Sequence, residues 1–136
     1  MSNWTHVAGI IRIDSVRFKE ETVEEATRMF ENYFGKELRY HSEDELWYEA
    51  DEHPEKFLPF GSEGSLTMSV WVNPNLDSIT SYTVSIFGDL RDHDDPDAII
   101  EWFKGKCKSE YIYVRNACIT VENDLHGSRV WNYTDD

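Results

Sequence analysis

Four stretches of period-two patterning, interleaved with two helical stripes, constrain this chain more than any other feature of its sequence. Residues 5–14 read as a first strand, with Val7, Gly9, Ile11 and Ile13 on one side and His6, Ala8, Ile10, Arg12 and Asp14 on the other. Ile10 breaks the alternation, which predicts partial cover on both faces. In residues 65–73, Leu66, Met68, Val70 and Val72 share a face against Thr67, Ser69 and Trp71. In residues 80–90, Tyr82, Val84 and Ile86 face inward while Thr83, Ser85, Phe87 and Asp89 face out. Such clean alternation predicts an antiparallel pair with one side packed on helices, joined by the turn NPNLDS. Residues 111–122 form a long strand, bulged near Arg115–Asn116, and the tail turns at DLHG to return as the edge strand SRVWNYT.

The helical stripes carry start signals of their own. Thr22 followed by Glu25 has the pattern of a capping box, and the acids at 20, 21, 24 and 25 suit the positive end of a helix dipole. Val23, Ala26, Phe30, Tyr33 and Phe34 follow at helical spacing, and Gly35 predicts the stop. The second helix starts at Asp95–Pro96, an N-cap acid followed by proline in the first turn, and places Ala98, Ile99, Trp102, Phe103 and Cys107 on its apolar side. Between Arg39 and Glu63 the periodicity lapses. A segment of that length is functional, mobile or built around a short element, and Trp47, Tyr48, Phe57, Leu58 and Phe60 pin it to the body of the domain.

The resulting order is strand, helix, strand, strand, helix, strand, with one strand added. Over residues 5–122 it resembles the split βαβ arrangement of ferredoxin-like domains. The resemblance implies an α+β sandwich: a four-stranded antiparallel sheet, two helices on one face and an extra C-terminal edge strand. Residues 1–136 suit a single domain, since halves of that length would bury too little to offset their conformational entropy. This fold hosts enzymes, metallochaperones, regulatory modules and RNA binders, so function has to be argued from sites.

Charge narrows the classes. Asp plus Glu number 27 against 13 Lys plus Arg, a formal net charge of −14. That field repels phosphate backbones and anionic headgroups, which argues against nucleic acid and favours a basic protein partner or a cation. The acids are also uneven: residues 43–55 hold seven acids and no Lys or Arg, and residues 89–97 hold five acids and one Arg. No apolar run approaches the roughly 18 residues of a membrane span. The start MSNWTHVAG has neither the basic residues nor the apolar stretch of a secretory signal, which predicts a cytoplasmic protein. Cys107 and Cys118 match no zinc spacing; Cys107, near the end of the second helix, is expected to be buried rather than reactive, and Cys118 sits mid-strand.

Each candidate site has a plain structural counterpart. A ferredoxin-like sheet leaves one face free of helices, and here that face displays His6, Arg12, Trp71 and Phe87. RNA-recognition domains stack bases on aromatics there, but this chain lacks their basic, glycine and aromatic run. Cover by residues 39–63, by the tail or by a second subunit explains the aromatics more simply, because a bare apolar face is adhesive. Asp89, Asp92, His93 and Asp94, with Asp95, crowd one loop and would suit a hard cation, but not at EF-hand spacing; a capping Asp95 with solvated neighbours is the simpler account. His6, His41, His53 and His126 are scattered. No nucleophile elbow, phosphate loop or Ser-His-Asp signature occurs, so neither an enzyme nor a cofactor is expected.

The expected function is occupation of a basic protein partner, with aromatics supplying affinity and acids steering the encounter through Glu43, Asp44, Glu45, Trp47, Glu49, Trp71 and Phe87. In size, acidity and lack of a catalytic signature the chain resembles the small inhibitors that bacteriophages and mobile elements direct against host defences. Some of those imitate the charge of nucleic acid, and toxin-neutralising immunity proteins share the profile. Two alternatives belong to other classes. An oligomer could sequester a small nucleotide signal if Arg12, Arg17, Arg115 and Arg129 converge on phosphate. A metal-dependent hydrolase would use the acids of residues 89–95.

Overall fold

The alternating strands meet in one sheet because each has a single apolar side to bury. In the computed structural model, which describes residues 2–16, 23–38, 45–73 and 81–134, the strands are β1 (Trp4–Val16), β2 (Thr67–Val72), β3 (Tyr82–Arg91), β4 (Ile112–Asn123) and β5 (Gly127–Asn132). Their spatial order is β2-β3-β1-β4-β5 and every pairing is antiparallel. The first four strands have the ferredoxin-like order, and β5 extends the β4 edge. Helices α1 (Val23–Phe34) and α3 (Pro96–Cys107) pack on the same face of the sheet. Thr22 and most of the turn NPNLDS lie outside the described residues.

The core forms between those helices and the inward residues of the strands. Ile11, Ile13, Val84, Ile86 and Ile119 from the sheet, with Phe30, Phe34 and Phe103 from the helices, are fully buried. Phe30 meets Tyr82 edge-on at 5.3 Å between ring centroids, and Phe103 meets Trp131 of β5 at 5.8 Å. Gly9 makes room for this packing, since a Cβ there would stand 3.0 Å from the Phe103 ring. Val23, counted with the α1 stripe in the sequence, is 55% exposed in the opening turn, so burial begins at Ala26. The predicted bulge is present: Arg12 pairs with Asn116 and Ile13 with Val114, leaving Arg115 as the extra residue. Asp95 caps α3 by accepting the Ala98 amide at 3.0 Å.

The segment between α1 and β2 contains a helix that the periodicity did not reveal. It comprises α2 (Glu45–Glu52) and a single 3-10 turn at Pro54–Lys56. Beyond that turn the backbone runs beside the end of α1: the Lys36 amide donates to the Lys56 carbonyl and the Leu58 amide to the Lys36 carbonyl, each at 2.8 Å. Gly35 permits this approach, with φ at +115° and no side chain where a Cβ would lie 2.7 Å from the Phe57 carbonyl carbon. Leu58 then joins the main core, while Phe57, Ala50 and Leu38 form a small satellite. The described part of the segment therefore lies on the helix side and does not cover the open sheet face. None of the described helices is long and apolar enough to cross a membrane.

At the opposite end of β1 from the bulge, the strands are tied by buried polar groups. The Asn123 amide donates to Thr5 Oγ1 at 2.8 Å and to the His93 carbonyl at 3.3 Å, while its oxygen accepts the Leu125 and His126 amides at 2.9 Å. Thr5 Oγ1 itself donates to the His93 carbonyl at 2.6 Å. Asn123→Ala is expected to lower stability by about 2–3 kcal/mol, because it strands several buried donors and acceptors at once. Phe30→Ala should cost about 3–5 kcal/mol. Phe87→Ser, on the open face, should cost under about 1 kcal/mol. Urea denaturation of the three variants checks this ranking.

Candidate functional site

The two acid-rich segments, residues 43–55 and 89–97, border one cleft through Pro54 and Glu55 of the first and His93 of the second. The prolines and aromatics after α2 turn the chain across the start of α3, leaving an open cleft of about 320 Å³ between them. Pro54, Glu55, Pro59 and Phe60 line one side, and His93, Ala98, Ile99 and Trp102 the other. Trp102 sits on the apolar side of α3 yet remains half-exposed, so part of its ring faces this cleft. Glu49, Asp51, Glu52 and Glu55 are exposed on the insert, and Asp94, Asp95 and Asp97 on the opposite loop and helix start. Of these acids Glu55 lines the cleft itself, beside the rings of Phe57, Phe60 and Trp102; a carboxylate among aromatic faces is chemically suited to a cationic side chain.

The second surface is the sheet face away from the helices. Cross-strand register sets its rows: Trp71, Thr83, Arg12 and Asn116; Ser69, Ser85, Ile10 and Cys118; Thr67, Phe87, Ala8 and Thr120; Asp89, His6 and Glu122. Ile10 and Phe87 are each 47% exposed and Trp71 54%. The clean outward position of Trp71 and Phe87 agrees with the alternation. Ile10 shares that exposure, so its side of β1 is less covered than its apolar character suggests.

His6 is the focus of charge on this face. Its Nδ1 lies 2.7 Å from Asp89 Oδ1 and its Nε2 3.3 Å from Asp124 Oδ1, across both neighbouring strands. The hydrogen bond to Asp89 is the main cause raising its pKa above the ordinary 6.5, with burial opposing and Asp124 adding to the rise. His93 behaves oppositely: burial holds its pKa below 6.5 against the attraction of Asp95 and Asp94.

The remaining acids of the 89–95 loop are engaged separately. Asp92 accepts the Asn3 amide at 3.2 Å and the Ser62 hydroxyl at 3.0 Å, bonds that lower its pKa. Asp94 accepts the Asn3 side-chain amide at 3.2 Å. Among the described residues no group of three His, Cys, Asp or Glu side chains is placed to hold a metal ion, which argues against the hydrolase alternative. The arginines proposed for a nucleotide are also separated. Arg12 projects from the open face, whereas Arg129 projects to the helix side, where it donates to Asp97 at 3.0 Å and to the His126 carbonyl. Arg115 sits at the bulge, 4.0 Å from Asp14, and Arg17 lies outside the described residues.

Of the predicted partner residues, Glu43 and Asp44 lie outside the described residues. Glu45 and Trp47 belong to α2, and Glu49 on the same helix pairs with Lys56 at 3.3 Å. Trp71 and Phe87 occupy the open face and are not part of the cleft. Sequence reasoning missed the cleft contributions of Glu55, Phe60 and Trp102; the prolines at 54 and 59 were the available signal, marking a chain that must turn sharply. Compared with family models, curated proteins and solved structures, the chain matches none.

The histidine environments give a signed pH dependence. Ionised His6 contributes stability that is fully present below pH 6.5 and fades as pH rises through its raised folded value. His93 contributes stability present above pH 6.5 that is lost as pH falls through its depressed folded value. NMR titration is expected to place one resonance on each side of 6.5, with Asp89→Asn moving His6 downward and leaving His93 unchanged.

Proposed function

We propose that this protein is a non-enzymatic binding protein that occupies a basic protein partner, with the cleft between the α2 insert and α3 as its principal contact. The observation that carries this reading is an aromatic-lined cleft with the Glu55 carboxylate at its edge, bordered by Pro54 from one acid-rich segment and His93 from the other. The exposed carboxylates of the two segments attract a cationic surface from a distance and raise the encounter rate, while Glu55, Trp102, Phe60 and the prolines contact it in the cleft. The class of activity this suggests is blockade, as practised by the small acidic inhibitors of phages and mobile elements and by immunity proteins.

The test uses a panel of arginine- and lysine-rich peptides, with neutral peptides of equal length as controls, titrated at low and physiological salt. Binding is expected only for the cationic members and is expected to weaken as salt rises. Reversing Glu49, Asp51 and Glu55 to Lys should weaken it about tenfold or more, and Trp102→Ala should cost about 1–2 kcal/mol. Equal binding of neutral and cationic peptides, or affinity untouched by the reversals, would refute the proposal.

A further inference from the structure

We infer that the open sheet face pairs with the same face of a second copy of this chain, strands antiparallel, so that Arg12 of each copy lies over the acidic row of the other. The inference is independent of the cleft, which lies on the helix side of the sheet.

Three observations lead to it. First, the face is nearly neutral in a strongly acidic chain. Its four rows carry Arg12 and His6 against Asp89 and Glu122, and Asp124 reaches His6 from beyond the end of β4, so that three of the 27 acidic residues gather at one end of the face. A face meant for a cationic partner would concentrate acids, and this one excludes them from its centre.

Second, what charge remains is divided between opposite ends. Arg12 occupies one end row, and six residues along β1 the other end row holds His6 between Asp89 and Glu122. Two sheets stacked face to face are related by a two-fold axis in the plane between them. An axis along the strands would set Arg12 against Arg12. An axis across the strands, level with Gly9, sets each Arg12 against the partner's acidic row, and electrostatics selects it.

Third, the same axis matches shapes. It opposes positions 10 and 8 on β1, placing Ile10 of one copy over Ala8 of the other. On β3 it places Phe87 over Ser85. These two large side chains each meet a small one, as interdigitated sheets require. Ile10 and Phe87, both 47% exposed, become the centre of the contact. Four strands by four rows cover roughly 500 Å² per copy, at the low end of specific interfaces, so the pair is a concentration-dependent dimer rather than an obligate one.

The experiment is sedimentation equilibrium of the full chain from micromolar to millimolar concentration. Wild type is expected to double its 16.0 kDa mass across that range. Arg12→Glu and the double variant Asp89→Arg/Glu122→Arg, each confirmed as folded by circular dichroism, should self-associate roughly a hundredfold more weakly. Mixed together they should pair again, because both contacts then join opposite charges. A parallel readout is native: Cys118 is exposed on this face while Cys107 is buried with its thiol pushed up to about 12, so alkylation of Cys118 should slow as wild type is concentrated. A wild type monomeric throughout, variants that dimerise like wild type, or a mixture that fails to pair would each overturn the inference.

Discussion

The polar knot around Asn123 is the constraint on which the working end of the molecule depends. One buried side chain joins β1 through Thr5, the β3–α3 loop through the His93 carbonyl, and the β4–β5 turn through two amides. Burying so many polar atoms is unfavourable unless all are paired, so the arrangement tolerates few alternatives. Its effect is to fix the loop that carries Asp92, Asp94 and Asp95. Asn3 extends the knot by binding Asp92 through its backbone and Asp94 through its side chain. Asp92 adopts φ +56° there, a left-handed conformation that its hydrogen bonds stabilise. Asp94 and Asp95 are thus held in place by uncharged groups, while Asp92 also lies 3.7 Å from the Arg91 guanidinium.

One-sided burial has a second consequence. Because side chains alternate along a strand, the residues that build the core and those that form the open face are separate sets in the same strands. Ile11 and Ile86 hold the helices, while Ile10 and Phe87 point away and contribute little to stability. The open face can therefore specialise without loss of fold, and its small serines, threonines and alanine leave it flat enough to accept another sheet. The cleft has less freedom: Ile99 and Phe57 serve it and the buried clusters together, and Trp102 packs against the main core.

The strands, the two long helices and the bulge were legible because each is encoded locally: period-two alternation, an apolar stripe at helical spacing, an aspartate before a proline, a polar pair interrupting a strand. Helix α2 was not. Its eight residues present only Ala50 as a described, fully buried side chain, so no apolar stripe announces it, and the small Leu38–Ala50–Phe57 cluster supplies its packing. The clamp on His6 was hidden for another reason. Alternation tells which side His6 faces, but its pairing with Asp89 and Asp124, 83 and 118 positions away, depends on strand register, which composition does not determine. The cleft was half legible: both acid-rich segments stood out, and their convergence depends on the path of the insert over α3. The arginines failed as a group for the same topological reason, since Arg12 and Arg129 emerge on opposite faces of the sheet.

The two surfaces differ in what salt does to them, and that difference follows from where the acids lie. The proposed binding of a cationic partner in the cleft would draw on the net charge of −14 and weaken as ions screen it. Pairing of two copies works against the same net charge, so screening removes a penalty as well as a local attraction. A basic partner seated in the cleft would neutralise part of that repulsion, and by linkage pairing would then favour the partner equally. Distance limits the effect. The cleft and the open face are separated by the sheet and the helix layer, about 10 Å from layer to layer, comparable with the Debye length of about 8 Å at physiological ionic strength. Coupling between the two proposed contacts would therefore be strong only in dilute buffer, and under physiological salt each surface would answer to its own chemistry: Glu55 and aromatic rings in the cleft, shape and two symmetric charge pairs on the sheet.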